Sequence, residues 1–226
     1  ASISSTSVGA SSSASATGTT SIGASASASD SNASSFGASA TALGSSSLAL
    51  GSASNAAFSK STAVGTASGA TASGSTVVGY GARTYVVPGI GTNATAVGIQ
   101  AYSAGNYSTA LGGLSNAYES YSLAIGYEAL SSGDYAIALG ASSEASGENA
   151  IAQGTGSKAT KKNSIAVGTG AKATENNAIA LGAGSNAAGI NAIAIGAGSK
   201  ASATNAVAIG AGATASCSNA LAFGAA

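Results

Sequence analysis

Asn-Ser-Ile-Ala-Val-Gly, at residues 163–168, recurs as Asn-Ala-Ile-Ala-Leu-Gly at 177–182, as Asn-Ala-Ile-Ala-Ile-Gly at 191–196 and as Asn-Ala-Val-Ala-Ile-Gly at 205–210. The copies lie 14 residues apart. A short, fixed period is typical of proteins in which one small unit is stacked many times and contacts mainly its neighbours. The sequence therefore predicts a repeat architecture without a conventional globular core.

The last glycine of the hexapeptide defines position 0 of a register that runs through the chain. Every interval between these glycines is 14 residues, except that from Gly79 to Gly98, which is 19 residues. The extra residues fall around Tyr85–Ile90, which contains the single proline, Pro88. We therefore predict an inserted loop there, in an otherwise regular stack. The 16 register positions are Gly9, Gly23, Gly37, Gly51, Gly65, Gly79, Gly98, Gly112, Gly126, Gly140, Gly154, Gly168, Gly182, Gly196, Gly210 and Gly224.

The composition excludes helices and a core of large side chains. The chain has 33 Gly, 6% charged and 5% aromatic residues, and its 45% hydrophobic fraction is mostly alanine. In a helix each glycine would cost about 1 kcal/mol relative to alanine. The chain must instead bury small residues in thin, closely spaced layers.

The residues before each glycine alternate as in a strand. Position −1 is aliphatic or Phe in 15 of 16 coils, with Gln153 as the exception, and position −2 is Ala from Ala49 onward except at Val77. Position −3 is mostly Thr or Ser in the early coils and Leu, Ile or Val in the later ones. Alternate strand residues face opposite sides, so positions −3 and −1 share one face and the alanine lies on the other.

This pattern predicts an all-β fold, a parallel β-solenoid of about 16 coils, each with two short strands and two tight turns. Both strand faces are apolar, and a two-strand coil buries only one of them inside itself. We expect another chain to cover the second face, where small Ala and Gly residues suit close approach of a backbone. Cyclic self-association, most simply as a trimer, covers that face at every level.

The domain prediction follows the register. We predict a single repeat domain over residues 1–226, with degenerate coils at 1–48, a coil with the five-residue insertion at 80–97 and regular coils at 98–226.

The hexapeptide resembles the head repeat of YadA-like trimeric autotransporter adhesins of Gram-negative bacteria. The match is best from Asn149 to Gly224, whereas the first coils, with motifs such as Ser7-Val8-Gly9, fit poorly. The resemblance implies a left-handed β-roll that forms an intertwined or side-by-side homotrimer at the bacterial cell surface. It also implies export and outer-membrane anchoring through a neck, a stalk and a β-barrel that lie outside this sequence.

What the resemblance implies for function is multivalent adhesion to extracellular matrix protein, host cells or abiotic surfaces, without catalysis. A non-binding spacer of a surface fibre is the alternative. A third interpretation, an ice-binding solenoid, needs an uninterrupted ladder of exposed Thr, and Leu123 and Ile137 interrupt the one formed by Thr95 and Thr109.

The residue types argue against an enzyme and against cofactor or metal sites. The chain has no His and one Cys, so it has no Ser/His or Cys/His pair and no zinc ligand set. Gly-X-Gly sequences such as 196–198 recur in every late coil, which indicates turns rather than phosphate loops. The net charge is zero and no basic groove with interleaved aromatics is visible, so no nucleic-acid partner is expected.

The tyrosines are the candidate adhesive surface. Tyr107, Tyr121 and Tyr135 occupy position −5, which is Asn in the later coils, and stacking should align them in a ladder. Tyrosine offers rigid contact area and a hydroxyl for binding, but the same rings could only stiffen a corner, so both interpretations stay open. The full set is Tyr80, Tyr85, Tyr102, Tyr107, Tyr118, Tyr121, Tyr127 and Tyr135.

The most regular coils are predicted to be scaffold, so departures from regularity are where a binding site is expected. Two departures are Gln153, predicted to be a buried amide with paired amides or water, and Cys217, read as a substituted small residue or a site of intermolecular disulfide formation. Acidic residues between Glu119 and Glu148 precede a band of lysines from Lys158 to Lys172, which serves either to steer a charged partner or to keep the surface solvated. The predicted turn and core set is Gly126, Gly140, Gly154, Gly168, Gly182, Gly196, Gly210, Ile165, Val167, Ile179, Leu181, Ile193 and Ile195.

Overall fold

The computed structural model describes residues 4–85 and 92–224, which form two compact units, one ending at Ser115 and the other beginning at Asn116. Each unit is a parallel β-solenoid, as predicted, with two strands in each coil. The predicted loop around Pro88 lies outside the described residues. In the part of the chain that the structure covers, no helix has the length and apolarity needed to cross a membrane.

The first unit contains two parallel sheets. Sheet A consists of three-residue strands: β1 (Thr6–Val8), β3 (Thr20–Ile22), β5 (Ser34–Phe36), β7 (Leu48–Leu50), β9 (Thr62–Val64), β11 (Thr76–Val78), β13 (Thr95–Val97) and β15 (Thr109–Leu111). Sheet B consists of two-residue strands: β2 (Ser13–Ala14), β4 (Ser27–Ala28), β6 (Thr41–Ala42), β8 (Asn55–Ala56), β10 (Gly69–Ala70), β12 (Arg83–Thr84) and β14 (Tyr102–Ser103).

The second unit repeats this arrangement. Its three-residue strands, in sheet A, are β17 (Leu123–Ile125), β19 (Ile137–Leu139), β21 (Ile151–Gln153), β23 (Ile165–Val167), β25 (Ile179–Leu181), β27 (Ile193–Ile195), β29 (Val207–Ile209) and β31 (Leu221–Phe223). Its two-residue strands, in sheet B, are β16 (Asn116–Ala117), β18 (Leu130–Ser131), β20 (Glu144–Ala145), β22 (Lys158–Ala159), β24 (Lys172–Ala173), β26 (Asn186–Ala187), β28 (Lys200–Ala201) and β30 (Thr214–Ala215).

The strand register follows the period read from the sequence. Ile165 of β23 pairs with Ile179 of β25, one coil later, and even the first coils pair in this way. Across the 19-residue interval Thr76 of β11 pairs with Thr95 of β13, so the ladder keeps its register despite the five extra residues. The insertion therefore does not shift any later side chain to the opposite face.

Alanine fills the space between the two sheets. In the second unit the core consists of buried alanines from Ala136 to Ala215, and in the first unit Val77 is the largest member of a corresponding alanine cluster. Buried serines accompany them, and their hydroxyls donate to nearby carbonyls, as Ser157 Oγ does to Gly154 O at 2.8 Å. The thin, small-residue layers predicted from composition are therefore confirmed.

The structure corrects the expected use of the two strand faces. The small Ala face was expected to meet another chain, but it is the interior, because two short strands joined by tight turns leave room only for methyl groups. The aliphatic side chains at positions −3 and −1 face outward and stay partly exposed. Ile165, Val167, Ile179, Leu181, Ile193 and Ile195, predicted as core, all belong to this outer face.

The glycine at position 0 closes each coil against the next one. Gly168 has φ +129°, a region essentially restricted to glycine, and a Cβ on it would lie 2.6 Å from the carbonyl carbon of Gly182. Gly170, at position +2, has φ +66° and open space where its Cβ would be. Position 0 therefore excludes every side chain, whereas position +2 tolerates one, as Ala53 and Ala67 show.

We predict that Gly168→Ala destabilises the fold by about 3 kcal/mol or more, since backbone strain and a backbone clash add. Gly170→Ala should cost only about 1 kcal/mol, because the left-handed conformation is its sole penalty. Urea denaturation followed by circular dichroism measures both, with Gly170→Ala as the matched control. Equal destabilisation by the two variants would contradict the proposed role of coil stacking at position 0.

Candidate functional site

The eight tyrosines lie on three surfaces of the coils, and none lies on the aliphatic outer face of sheet A. Tyr80 and Tyr127 follow a position-0 glycine at one corner of the coil. Tyr85, Tyr102 and Tyr118 lie on or next to strands of sheet B. The remaining three, at position −5, occupy the opposite corner. Seven of the eight side chains are exposed, and Tyr102 is partly buried.

Tyr121 and Tyr135 form the stacked pair that their spacing predicts. Their ring centroids are 4.9 Å apart and the ring planes differ by 3°. Both residues have left-handed backbone conformations, with φ +59° and φ +58°, as has Tyr107 in the first unit. Tyrosine is a costly choice there compared with Asn or Gly, so some gain from the ring must offset the strain.

Asparagines take over this corner in the rest of the second unit. The amide Nδ2 of Asn163 donates to Oδ1 of Asn177 at 3.1 Å, and Asn177 donates to Asn191 at 3.0 Å. The same donation continues to Asn205 and Asn219. Each asparagine relieves the backbone strain of its turn and links its coil to the next, so this ladder is scaffold.

A groove of about 630 Å³ opens on the outer face of sheet B in the first unit. Gly69 forms its floor, and the residues paired with Gly69 on the neighbouring strands, Asn55 and Arg83, form its walls. The exposed rings of Phe58 and Tyr85 line it as well. A second depression of about 360 Å³ shares Arg83, so the guanidinium borders both.

Gly69 leaves the groove open without being required by the backbone. Its φ is not in the left-handed region, and an added Cβ would only make ordinary contacts of 3.8 Å with Arg83 Cγ and Thr71 Cγ2. Other coils carry Asn, Tyr, Leu, Glu or Lys at this strand position. The missing side chain therefore affects the surface rather than the fold.

Arg83 is the single arginine of the chain, and its side chain forms no hydrogen bond or ion pair with any other described residue. The only acidic residue described in the first unit is Asp30, which belongs to a coil well before the groove. An exposed arginine without a carboxylate partner is free to pair with an anion from outside.

The insertion distorts the sheet B ladder next to the groove. Elsewhere the residue after a sheet B strand donates its backbone N–H to the carbonyl of the following coil, as Ala57 does to Ala70 at 3.0 Å. Thr71 N donates instead to the side-chain Oγ1 of Thr84, at 3.1 Å, while Thr71 Oγ1 donates to the Thr84 carbonyl. Thr84 thus keeps the coil closed where the chain leaves its regular path.

The bands of charge in the second unit pair from coil to coil. Lys158 Nζ lies 2.8 Å from Glu144 Oε2, and Lys162 Nζ lies 2.8 Å from Glu148 Oε2. The hydrogen bond from Lys158 lowers the pKa of Glu144. Exposed pairs of this kind contribute at most about 1 kcal/mol each. Their pairing supports the solvated-surface interpretation more than a steering role.

The other two departures from regularity lie at the surface. Gln153 is exposed, so the prediction of a buried amide is wrong for the isolated chain, because position −1 faces outward rather than into the alanine core. Cys217 is a free, exposed thiol, in a position open to either of its two interpretations. Within the described ranges no cluster of three potential metal ligands is found.

Sequence reasoning placed the tyrosines but missed the groove. Two signals could have indicated it: Gly69 is a glycine at a strand position rather than at a turn, and Arg83 is the only guanidinium. Recognising the groove required knowing that Asn55, Gly69 and Arg83 stack directly on one another.

The family model described as "YadA head domain repeat (2 copies)" matches more than half of the chain. Its matches cover residues 59–82, 90–115, 117–143, 145–171, 159–185, 173–199, 187–213 and 201–226. No curated protein matches the chain.

We predict that the double variant Tyr121→Asn/Tyr135→Asn folds with a stability within about 1 kcal/mol of the unmodified chain. Loss of a ring stack worth about 0.5–1.5 kcal/mol is offset by relief of left-handed strain. Urea denaturation measures the change, and Tyr127→Asn, at the other corner, is the control. A loss well above the value of one stack would show that the pair is a structural necessity.

Proposed function

We propose that this chain, which belongs to the family of YadA head domain repeats, is a head segment of a trimeric autotransporter adhesin that attaches bacteria to surfaces. Both the family and the β-solenoid fold are those of adhesins rather than enzymes. The observation that carries the proposal is the separation of surfaces in each coil. One outer face is aliphatic and suited to assembly, whereas the tyrosines lie on the others.

The aliphatic face of sheet A supports assembly into a homotrimer. In the second unit two columns of Ile, Leu and Val run side by side at positions −3 and −1, and members such as Ile125 and Ile195 are 37% and 36% exposed. In the first unit the −3 column is mostly Thr, so only one column is apolar. Exposed apolar columns of this length are typical of protein–protein interfaces, and threefold symmetry covers them at every coil.

The tyrosine-bearing surfaces support adhesion. If sheet A faces its copies, sheet B and both corners remain accessible in the assembly, together with all eight tyrosines. Tyrosine combines apolar contact area with a hydrogen-bonding hydroxyl and loses little side-chain entropy on binding. Three chains multiply each weak contact, so that attachment is strong through avidity. The proposed location is the outer surface of the bacterium, and the partner is a matrix protein, a cell surface or an abiotic surface.

A spacer role is the second candidate, and it is favoured for the coils from Asn149 to Asn219. Their exposed corner is a continuous hydrogen-bonded asparagine ladder, and their charges are partly paired. These coils contain no tyrosine. They would hold the tyrosine-bearing coils at a distance from other parts of the fibre.

We predict that the chain sediments as a trimer and that Ile179→Asp abolishes this assembly. An unpaired carboxylate buried in the interface costs several kcal/mol. Asn186→Asp, on sheet B of the same coil, is the matched control and should leave the trimer intact. Sedimentation velocity at micromolar concentration measures the state, and a folded, monomeric unmodified chain would rule out the assembly.

We predict that Tyr107→Asn/Tyr121→Asn/Tyr135→Asn lowers adhesion to immobilised matrix proteins and plastic at least about tenfold, because avidity amplifies the loss of each weak contact. The trimer should remain folded by circular dichroism and sedimentation. Replacing Asn163, Asn177 and Asn191 by Ser changes the same corner outside the tyrosine zone and serves as the control. Unchanged adhesion by a folded triple tyrosine variant would assign the tyrosines to structure alone.

A further inference from the structure

The groove over Gly69 combines three features that the repeat does not require. Gly69 removes a side chain from a column where other coils carry one, Arg83 brings an unpaired guanidinium, and Phe58 and Tyr85 supply exposed rings. Its volume of about 630 Å³ lies within the range of small-molecule binding sites. All of these residues lie on sheet B, away from the aliphatic face of sheet A.

The charge of the groove indicates an anionic ligand. Within the described part of the first unit the acidic side chain of Asp30 is the only carboxylate, and it belongs to an earlier coil than any residue of the groove. A guanidinium offers a planar set of donors that matches a carboxylate with two parallel hydrogen bonds. A carboxylate-bearing ligand would therefore give Arg83 the partner that the chain does not provide.

The polar walls also provide for neutral hydroxyl groups. Thr41 Oγ1 donates to Asn55 Oδ1 at 3.2 Å, which fixes the orientation of the Asn55 amide. Its Nδ2 group makes no hydrogen bond to the described residues and remains a donor beside the groove. Across the groove the phenol of Tyr85 offers both a donor and an acceptor.

The backbone argues against an extended peptide as the ligand. Such peptides usually bind by adding a strand to a free sheet edge, where main-chain hydrogen bonds supply much of the affinity. The three strands beneath the groove, β8, β10 and β12, are each paired on both sides. Recognition in this groove must therefore come from side chains, through ring contacts and polar groups.

We propose that this groove binds a carboxylate-bearing sugar unit of a glycan, with Arg83 paired to the sugar carboxylate and the rings of Phe58 and Tyr85 packed against its C–H faces. Asn55 donates to a ring hydroxyl. Asn55 and Arg83 lie two strand spacings apart, about 10 Å, which leaves room for one pyranose ring over Gly69. This inference rests on the proposed adhesive function and gives it a ligand class.

The test uses the full chain and pairs of probes that differ in the carboxylate. Sialyllactose is compared with lactose, and a short hyaluronan oligosaccharide with a chitin oligosaccharide of equal length, by NMR titration and calorimetry. We expect binding of at least one acidic member and at least about tenfold weaker binding of its neutral counterpart, as for loss of one charge-assisted contact. Binding of neither acidic probe overturns the proposal.

Two variants locate the site. Gly69→Leu fills the floor of the groove, and Leu130 at the equivalent position of β18 shows that the strand tolerates this residue. Arg83→Gln removes the charge and keeps a polar side chain of similar length. Both should weaken binding of the acidic probe at least about tenfold. Ser27→Leu, on the same face outside the groove, is the matched control and should bind as the unmodified chain does.

The remaining outcomes separate this inference from the proposed function. Equal binding by folded Gly69→Leu and Arg83→Gln variants overturns the groove as the site. Stronger binding of an acidic peptide of alternating Glu and Gly than of either glycan overturns the sugar assignment. Adhesion that survives in both variants, and on surfaces treated to remove acidic glycans, overturns this inference alone. Binding of the acidic probe with no adhesion to any surface contradicts the adhesin instead.

Discussion

The close approach of successive coils at the position-0 glycine is the constraint on which the rest of the structure depends. A side chain there would collide with the backbone of the next coil, and the conformation itself belongs to glycine. Because the chain must return to this contact, coils keep one length, and equivalent residues lie directly above one another. The alanine core, the asparagine ladder and the aliphatic columns all follow from that superposition.

The same constraint determines where the hydrophobic free energy lies. A buried alanine methyl contributes less than about 1 kcal/mol, whereas full burial of Ile, Leu or Val contributes about 1.5–3 kcal/mol. Each coil places its alanines inside and its large aliphatic residues outside. Much of the stabilisation available to the chain is therefore realised only when another surface covers sheet A. Folding and assembly of such a chain are physically coupled, which fits the proposed trimer.

The sequence was sufficient for the architecture because the period and strand alternation are properties of neighbouring residues. Strand pairs, register and the stacking of Tyr121 on Tyr135 follow from counting alone. Counting does not reveal which of two apolar faces points inward, and that choice depends on the space left between two sheets joined by tight turns. The misplacement of Gln153 has this same origin. The groove depends on side chains from three coils, so it could be recognised only in three dimensions.

The asparagine ladder makes each coil an interchangeable part. Asn163, Asn177 and Asn191 each donate to the next coil and accept from the previous one, so every amide meets the same kind of partner. Loss or duplication of one 14-residue segment by recombination would leave those partners unchanged. The length of this part of the protein is then a trait that evolution can adjust in whole coils, while the groove and the tyrosines stay as they are.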